Sequence, residues 1–243
     1  MMSKVVLVTG GARGIGLAVT RRLALAGHRI AISYRSDRQA AESVGAELSA
    51  QGVDSDVFHA DLTEPTQARE LPGRVAERFG QLDALVNNAG ITDDASFLTM
   101  DMERYRNVLR TNLFGTMLVT GAAIPHLLKG RDPAIVVVAS LGGVVGKEGQ
   151  VAYAASKGAL IGFTQWLGRK YSAQGIAVNA AAPGFIQTDM IADLEPGMVD
   201  HIVGGSALGR VGMADEVADA VHFLLSPGYI QSTTLRIDGG FNR

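Results

Sequence analysis

A tyrosine and a lysine stand four residues apart in the second half of the chain, at Tyr153 and Lys157. On a helix, residues at i and i+4 share a face, so the phenol and the ammonium would project into the same space. A phenol has an unperturbed pKa near 10, and a neighbouring ammonium lowers that pKa by stabilising the phenolate. Such a pair can exchange a proton with a substrate near neutral pH. The same spacing arises by chance in many helices, so the pair needs support from its surroundings.

A serine at the end of a predicted strand gives that support. Ser140 follows the β-branched run Ala134–Ala139 and precedes Tyr153 by thirteen residues. A serine hydroxyl at the carboxyl end of a strand can hydrogen-bond a substrate carbonyl. The three side chains together predict acid–base chemistry on a carbonyl group.

A glycine-rich loop lies between the first predicted strand and a predicted helix. Glycines let the backbone turn sharply and approach a pyrophosphate, and the helix N-terminus supplies N–H donors and a positive dipole. The spacing is TGxxxGxG, and the setting of strand, loop and helix favours dinucleotide binding. The candidate cofactor residues in this loop are Gly10, Arg13, Gly14, Ile15 and Gly16.

The end of the second predicted strand indicates which dinucleotide is bound. NAD sites usually place an acidic residue there, whereas NADP sites use arginine for the 2′-phosphate. This chain has Tyr34-Arg35-Ser36 at that point, and Arg13 lies within reach in the glycine loop. The two cations favour NADP(H). In the alternative interpretation Arg35 is a solvated surface residue and Asp37 binds the ribose.

Two further segments follow predicted strands and are candidates for the nucleotide site. Asp61 could pair with an adenine amino group, with Leu62 beside it, and the backbone of Ala89 and Gly90 could pass under the nucleotide, with Asn88 before them. The alternatives are a helix N-cap at Asp61 and an ordinary turn after the fourth strand.

Short β-branched runs alternate with helical patterns along the chain. This alternation implies right-handed crossovers and a single-domain, Rossmann-type α/β fold over residues 1–243, a doubly wound parallel sheet of seven strands with helices on both faces. The segment 184–209 has weak periodicity and is either a flap over a pocket or a surface excursion. The predicted strands are Lys4–Thr9, Arg29–Ser33, Val53–Ala60, Leu82–Asn87, Ala134–Ala139, Ile176–Ala182 and Thr234–Ile237, and the predicted helices are 14–27, 37–51, 64–79, 101–129, 150–174, 189–205 and 213–225.

The composition excludes several classes of protein. The chain has 243 residues, 47% of them hydrophobic and 19% charged, which is typical of a globular protein. Its net charge of −2 gives no support for general nucleic-acid binding. It has no cysteine, which excludes disulfides and thiolate metal sites, and the five histidines show no metal-binding spacing. No secretory signal or membrane span is expected, so a cytoplasmic location is predicted.

The motifs together resemble the short-chain dehydrogenase/reductase superfamily over nearly the whole chain. The same superfamily pattern implies a strand order of 3-2-1-4-5-6-7 and a homotetramer. The matching pieces are Thr9–Gly16, Asp61-Leu62, Asn87–Gly90, Asn112, Ser140, Tyr153–Lys157, Asn179, Pro183-Gly184 and Asp238–Gly240.

The resemblance also implies roles for these residues. Tyr153 would protonate a ketone oxygen as hydride arrives from the nicotinamide, and Lys157 would lower the pKa of Tyr153 and hold the nicotinamide ribose. Ser140 would orient the carbonyl, and Asn112 would support a water that passes protons towards Lys157. Further contacts with the cofactor are implied for Pro183, Gly184, Ile186 and Thr188.

Within the superfamily the chain is most similar to the 3-oxoacyl-[acyl-carrier-protein] reductases, through 87–94, Gly149-Gln150, 183–190 and 208–210. It departs from them at Asp93, where relatives often have arginine, at Ser232, where glycine is common, and in a short loop at 226–228. The acyl carrier protein would dock on basic side chains, although Gln174 replaces a common docking arginine. The candidates are Lys129, Arg131, Arg169 and Lys170.

Three functions follow as hypotheses. The first is NADPH-dependent reduction of a β-ketoacyl thioester on acyl carrier protein, in fatty-acid or type II polyketide assembly. The second is reduction or oxidation of a free small ketone, alcohol or sugar. The third is a scaffold that binds a nucleotide without catalysis.

Overall fold

The computed structural model describes residues 3–188, 197, 203–226 and 228–241. Seven parallel strands form one sheet in the order β3-β2-β1-β4-β5-β6-β9, with helices on both faces. This confirms the predicted fold class and strand order, since β9 is the seventh strand of the sheet. The strands are β1 Val5–Thr9, β2 Arg29–Tyr34, β3 Ser55–His59, β4 Ala84–Asn87, β5 Ala134–Val138, β6 Ala177–Pro183, β7 Ile186–Gln187, β8 Gly212–Met213 and β9 Thr234–Ile237.

The central strands are apolar on both faces because helices cover both sides of the sheet. On one face the core includes Leu23, Val44 and Val221, and on the other it includes Leu71 and Leu160. The α-helices include α1 Gly14–Leu25, α2 Arg38–Ala50, α3 Pro65–Phe79, α4 Met102–Leu109, α5 Thr116–Leu127, α6 Gly142–Val145, α7 Val151–Tyr171 and α8 Ala214–Leu224.

The parallel register brings the functional segments to one edge of the sheet. Val5 to Thr9 of β1 pair in step with Arg29 to Ser33 of β2, and β4, β5 and β6 continue the sheet beside β1. The carboxyl ends of these strands therefore open onto a common cleft, which is where ligands bind in this class of fold.

The predicted helix 101–129 is interrupted by a π-helical turn at Arg110–Gly115. Within it, Thr111 Oγ1 donates to the carbonyl of Asn107 at 3.1 Å, which competes with the regular helical ladder. Gly115 permits a close approach, since a Cβ there would lie 2.8 Å from the carbonyl oxygen of Leu62. Such wide turns often occur at functional sites, and this one carries Asn112.

Strands β7 and β8 form a separate two-stranded sheet that the sequence pattern did not predict. It lies within and just after the predicted flap 184–209, of which 189–196 and 198–202 lie outside the described residues, along with most of the predicted helix 189–205. In the described ranges no helix is long and apolar enough to cross a membrane.

Candidate active site

The glycine loop between β1 and α1 has a backbone that side chains would obstruct. Gly10 and Gly14 have φ angles of 63° and 52°, in the left-handed region that favours glycine. A Cβ on Gly16 would lie 2.1 Å from the carbonyl oxygen of Gly10. The predicted glycine positions are thus those at which the fold needs a bare backbone.

Asn88 and Thr9 hold this loop against the end of β4. The Asn88 side-chain amide donates to the carbonyls of Thr9 at 3.0 Å and Gly10 at 3.1 Å. The Thr9 hydroxyl accepts from the backbone N–H groups of Asn88 and Ala89, at 3.0 and 3.1 Å. Asn88 therefore shapes the loop, and its direct contact with a nucleotide stays a prediction.

Helix α1 begins at the loop with its N–H groups facing the cleft edge. Its N-cap residue, Arg13, makes no side-chain capping bond within the described part of the chain, and its first turn holds no acidic residue. The helix end is therefore free to bind an anion. Thr188 reaches the same loop, with its methyl carbon 3.7 Å from where a Cβ of Gly14 would lie.

Two exposed arginines are candidates for the 2′-phosphate, Arg13 in the glycine loop and Arg35 directly after β2. Arg13 lies 3.7 Å from Asp37, with most of its side chain exposed. Asp37 caps α2, since its carboxylate accepts from the Ala40 N–H at 2.9 Å. Asp37 is thus already occupied as a cap, which weighs against its binding a ribose, while Arg35 is exposed.

Asp61 and Leu62 lie after β3 as predicted, in a turn. One Asp61 carboxylate oxygen accepts from the Thr63 N–H at 2.9 Å and from its hydroxyl at 2.8 Å. Leu62 is buried in the core. The N-cap residue of α3 is Glu64, so the alternative of a helix N-cap at Asp61 is wrong; Asp61 closes a local turn instead, and an adenine contact stays a prediction.

Ser140, Tyr153 and Lys157 come together at the carboxyl end of β5. The Ser140 hydroxyl accepts from the Gly142 N–H at 3.1 Å and lies near enough to the Tyr153 phenol to affect its pKa. The buried Lys157 ammonium donates to the carbonyl of Val138 at 2.7 Å and lies 5.6 Å from the centre of the Tyr153 ring. The structure therefore brings the three predicted catalytic side chains into one group.

The pKa values of this group differ from the expectation. Burial raises the pKa of the Tyr153 phenol, the hydrogen bond with Ser140 opposes this rise, and the charge of Asp94 adds to it. Burial lowers the pKa of Lys157 to about 8. The net shift of the Tyr153 pKa is upward because desolvation of the phenol dominates, and the lowering of this pKa by Lys157 stays a prediction.

Asn112 joins the π-helical turn to the segment after β4 and to α7. Its side chain accepts from the Ile91 N–H at 2.8 Å and donates to the Ile91 carbonyl at 2.9 Å. It also donates to the Ser156 hydroxyl at 3.0 Å, and that hydroxyl donates to the Tyr153 carbonyl at 2.7 Å. Asn112 thus fixes the helix that carries Tyr153, and its predicted water stays a prediction.

Pro183 and Gly184 connect the last strands to the serine. The Pro183 carbonyl accepts from the Leu141 N–H at 2.8 Å, next to Ser140. A Cβ on Gly184 would lie 2.8 Å from the Cβ of Asp238, so glycine is required for this close approach. Ile186 is buried in the core, and its contact with the cofactor stays a prediction.

Two residues near Tyr153 were not among the predicted site residues. Asp94 accepts from the side-chain amide of Gln150 at 2.7 Å, and Gln150 lies one turn before Tyr153. The spacing of three residues between Gln150 and Tyr153 indicates, from the sequence, that the two side chains lie near each other on a helix. Nothing local in the sequence indicates that Asp94 reaches them, because the contact joins two distant segments.

The four predicted docking residues are exposed, but they lie far from Tyr153. Lys129 and Arg131 precede β5, and Arg169 and Lys170 end α7, so all four lie towards the amino edge of the sheet. Lys170 is seventeen residues beyond Tyr153, which corresponds to about 25 Å along a helix. A carrier docked there is not beside the Tyr153 of the same chain.

The sequence matches the family described as short chain dehydrogenase over residues 4–198. The chain belongs to the short-chain dehydrogenase family. Members similar to it include the 3-oxoacyl-[acyl-carrier-protein] reductase FabG of Staphylococcus aureus, 37% identical over 241 residues that cover 98% of each chain. The FabG of Escherichia coli is 36% identical and covers 98% of this chain and 96% of its own.

Solved structures of short-chain dehydrogenases share the fold. A short chain dehydrogenase from Burkholderia cenocepacia in complex with NADP has a TM-score of 0.93 and 38% identity, covering 99% of this chain and 98% of its own. A Serratia marcescens short-chain dehydrogenase/reductase variant has a TM-score of 0.92 and 32% identity, with coverages of 98% and 97%.

Proposed function

We propose that this chain is an NADPH-dependent reductase that converts a β-ketoacyl thioester on acyl carrier protein to the β-hydroxyacyl thioester. The observation that carries the proposal is the grouping of the Tyr153 phenol with Ser140 and with the buried Lys157, whose ammonium lies 5.6 Å from the centre of the Tyr153 ring. This group lies at the carboxyl edge of the sheet, as does the glycine loop. The names of the FabG relatives support the choice of substrate.

The residues at the end of β2 fit NADP(H). The bare backbone at Gly10 and Gly16 leaves room for a pyrophosphate, and the α1 N-terminus offers N–H donors. Arg13 and Arg35 would hold the 2′-phosphate, and Asp37, which would repel that phosphate, is partly neutralised by Arg13. The NADP bound to the Burkholderia relative supports the same choice.

Reduction requires a hydride at the carbonyl carbon and a proton at the carbonyl oxygen. NADPH supplies the hydride when bound. The Tyr153 hydroxyl donates its proton to the ketone oxygen, and its raised pKa keeps the phenol protonated until then. The Ser140 hydroxyl donates a hydrogen bond to the same oxygen and orients it. Lys157 is cationic below its pKa of about 8 and holds the nicotinamide ribose.

Asn112 contributes to the reaction by positioning the helix that carries Tyr153. Its side chain links Ile91 to Ser156, whose hydroxyl holds the first turns of α7. The proposed water relay towards Lys157 would start near this point, because Gly90 lies between Asn112 and the Lys157 ammonium. The cofactor contacts of Ile186 and Thr188 belong to the same proposal.

The partners are part of the proposal. An acidic acyl carrier protein would dock on Lys129, Arg131, Arg169 and Lys170. Because these lie far from Tyr153 of the same chain, the carrier would serve the site of a neighbouring subunit in a homotetramer. Exposed apolar side chains support such an assembly, among them Phe114, Met117 and Trp166. We also propose a cytoplasmic location, which the lack of cysteine supports.

The decisive assay follows NADPH consumption with acetoacetyl groups on two carriers. One is acyl carrier protein and the other is a short thiol that mimics its prosthetic arm. Faster turnover on the carrier protein is expected, because docking adds binding energy remote from the reacting carbon. Equal and poor turnover on both would reject the carrier and point to a free ketone.

A further inference from the structure

The segment 91–96 after β4 joins two walls of the catalytic cleft. At one end Ile91 pairs with the Asn112 side chain through both its N–H and its carbonyl. At the other end the Ala95 N–H donates to the Gly149 carbonyl at 2.9 Å. Asp94 accepts from Gln150 at 2.7 Å in the same place. The segment therefore lies between the π-helical turn and the start of α7.

Arg104 of α4 binds two consecutive residues of this segment through an ion pair and hydrogen bonds. Its Nε donates to both carboxylate oxygens of Asp93 at 3.0 Å, and its Nη2 contacts Asp93 as well. The same Nη2 donates to the Asp94 carbonyl at 3.1 Å. The hydrogen bond with Arg104 lowers the pKa of Asp93, so the pair is charged at neutral pH. One guanidinium thus holds two consecutive residues of the segment.

A small apolar core includes residues close in sequence to both members of the ion pair and is separate from the two cores that flank the sheet. Its buried members are Met100, Val108 and Ala152. Ile91, Ala95, Tyr105 and Val151 pack against them. The core joins α4, the segment 91–96 and the first turn of α7. Because protein cores are tightly packed, a shift of one of these elements displaces the others.

The first turn of α7 connects this core to the catalytic tyrosine, Tyr153. Gln150 caps the helix, and its carbonyl accepts from the Ala154 N–H at 2.8 Å, so Gln150 is fixed relative to Tyr153. Asp94, held by Gln150 and by Arg104, is close enough to Tyr153 for its charge to act on the phenol.

We propose that the Asp93–Arg104 ion pair is a positioning device for the ketone reduction. It fixes the segment 91–96 against the first turn of α7 and so sets where Tyr153 and Gln150 meet the substrate. This inference rests on the proposed function. Neither Asp93 nor Arg104 touches the reacting atoms, and both act through Asp94 and Gln150.

The test uses two single variants, Asp93→Asn and Arg104→Gln. It also uses a charge-reversed double variant that combines Asp93→Arg and Arg104→Glu. Each single variant is expected to lower kcat for an acetoacetyl thioester by about tenfold, since small misplacements of reacting groups are costly. The Kd for NADPH should stay within about twofold, because the hydrogen bonds of Asp93 and Arg104 in the described residues do not involve the glycine loop. The double variant should recover most of the lost kcat, because it restores a pair in the opposite sense.

A matched control is the Arg21–Glu47 pair, which joins α1 to α2 with the same two-pronged geometry, at 2.9 and 2.7 Å. Arg21→Gln should leave kcat unchanged. The inference is overturned if the single variants keep full kcat, if kcat and NADPH affinity fall together, or if the double variant shows no recovery. A wild-type protein that reduces no β-ketoacyl thioester would instead reject the proposed function, so the two failures are distinguishable.

Discussion

The Lys157 ammonium donates to the carbonyl oxygen of Val138 at 2.7 Å, which places a buried cation at the end of β5 beside Tyr153. In the described ranges no carboxylate raises its pKa, which burial lowers to about 8. The fold therefore bears the cost of desolvating this charge with little compensation. Such a residue is costly to stability and is retained for function.

Replacement of this lysine should separate activity from stability. Lys157→Met is expected to lower ketone turnover at least about a hundredfold, while the free energy of unfolding at pH 7 does not fall. The matched control is Lys4→Met, at the second buried lysine. Lys4 donates to the carbonyls of Asp132 and Leu225 at 2.7 and 2.8 Å, so its loss should cost about 1–3 kcal/mol and leave turnover intact. Urea unfolding measures the free energy of unfolding, and NADPH consumption measures turnover. If Lys157→Met kept turnover and lost stability while Lys4→Met lost turnover, the assignment of Lys157 to catalysis would be contradicted.

The glycine loop gives a second prediction. Gly16→Ala places a Cβ 2.1 Å from a backbone oxygen that cannot swing away, so the Kd for NADPH should rise about tenfold or more. Gly73→Ala in α3 is the control, because its Cβ would have its nearest neighbour at 3.9 Å. That control should bind NADPH normally and gain about 0.5–1 kcal/mol from helix propensity. Fluorescence titration of NADPH measures the difference, and normal binding by Gly16→Ala would mean that the loop does not hold the nucleotide.

Arg35 should decide between the two dinucleotides. Arg35→Asp removes a partner of the 2′-phosphate, so the ratio of kcat/KM for NADPH over NADH is expected to fall about tenfold to a hundredfold. Arg69→Asp makes the same charge change at an exposed position on α3 and should leave the ratio unchanged. An unchanged ratio in Arg35→Asp would favour Asp37 as the residue that binds the ribose.

His28 should make stability depend on pH. Burial lowers the pKa of its imidazole from 6.5 to about 4, and His222, Lys4 and Arg22 act in the same direction. The folded protein binds this proton more weakly than the unfolded chain does. The stabilisation is therefore complete above about pH 6.5 and is lost as the pH falls towards 4, by up to about 1.4 kcal/mol per pH unit.

The variant His28→Gln keeps an acceptor for the Lys4 N–H and removes the titration. Its free energy of unfolding in urea should change less between pH 6.5 and 4.5 than that of the wild type. His59→Gln, at the exposed end of β3, should retain the wild-type slope. Equal slopes in all three proteins would show that another group is responsible.

Much of the fold follows from the sequence pattern because strands and helices alternate regularly and are separated by glycines. The strands from Val5–Thr9 to Thr234–Ile237 lie where buried parallel strands were expected. The grouping of Ser140, Tyr153 and Lys157 also follows, since it needs only a strand end and helical spacing. Local signals of this kind survive folding because tertiary contacts reinforce them.

Other features depend on contacts that no local pattern encodes. The π-helical turn 110–115 differs from an α-helix only by a slight widening, which the periodicity of the sequence does not reveal. Strands β7 and β8 have two residues each, too few to show a period. The pKa of Tyr153 depends on burial by the surrounding chain, and the Asp93–Arg104 pair joins a loop to a helix.

Proton donation by Tyr153 is tested most directly by NADPH consumption with acetoacetyl-acyl carrier protein in the Tyr153→Phe variant. Removal of the hydroxyl should lower the rate by about a thousandfold and leave the Kd for NADPH within about twofold, because the phenyl ring keeps the packing. A variant that retains the wild-type rate would contradict the assignment of Tyr153 as the acid and, with it, the proposed mechanism.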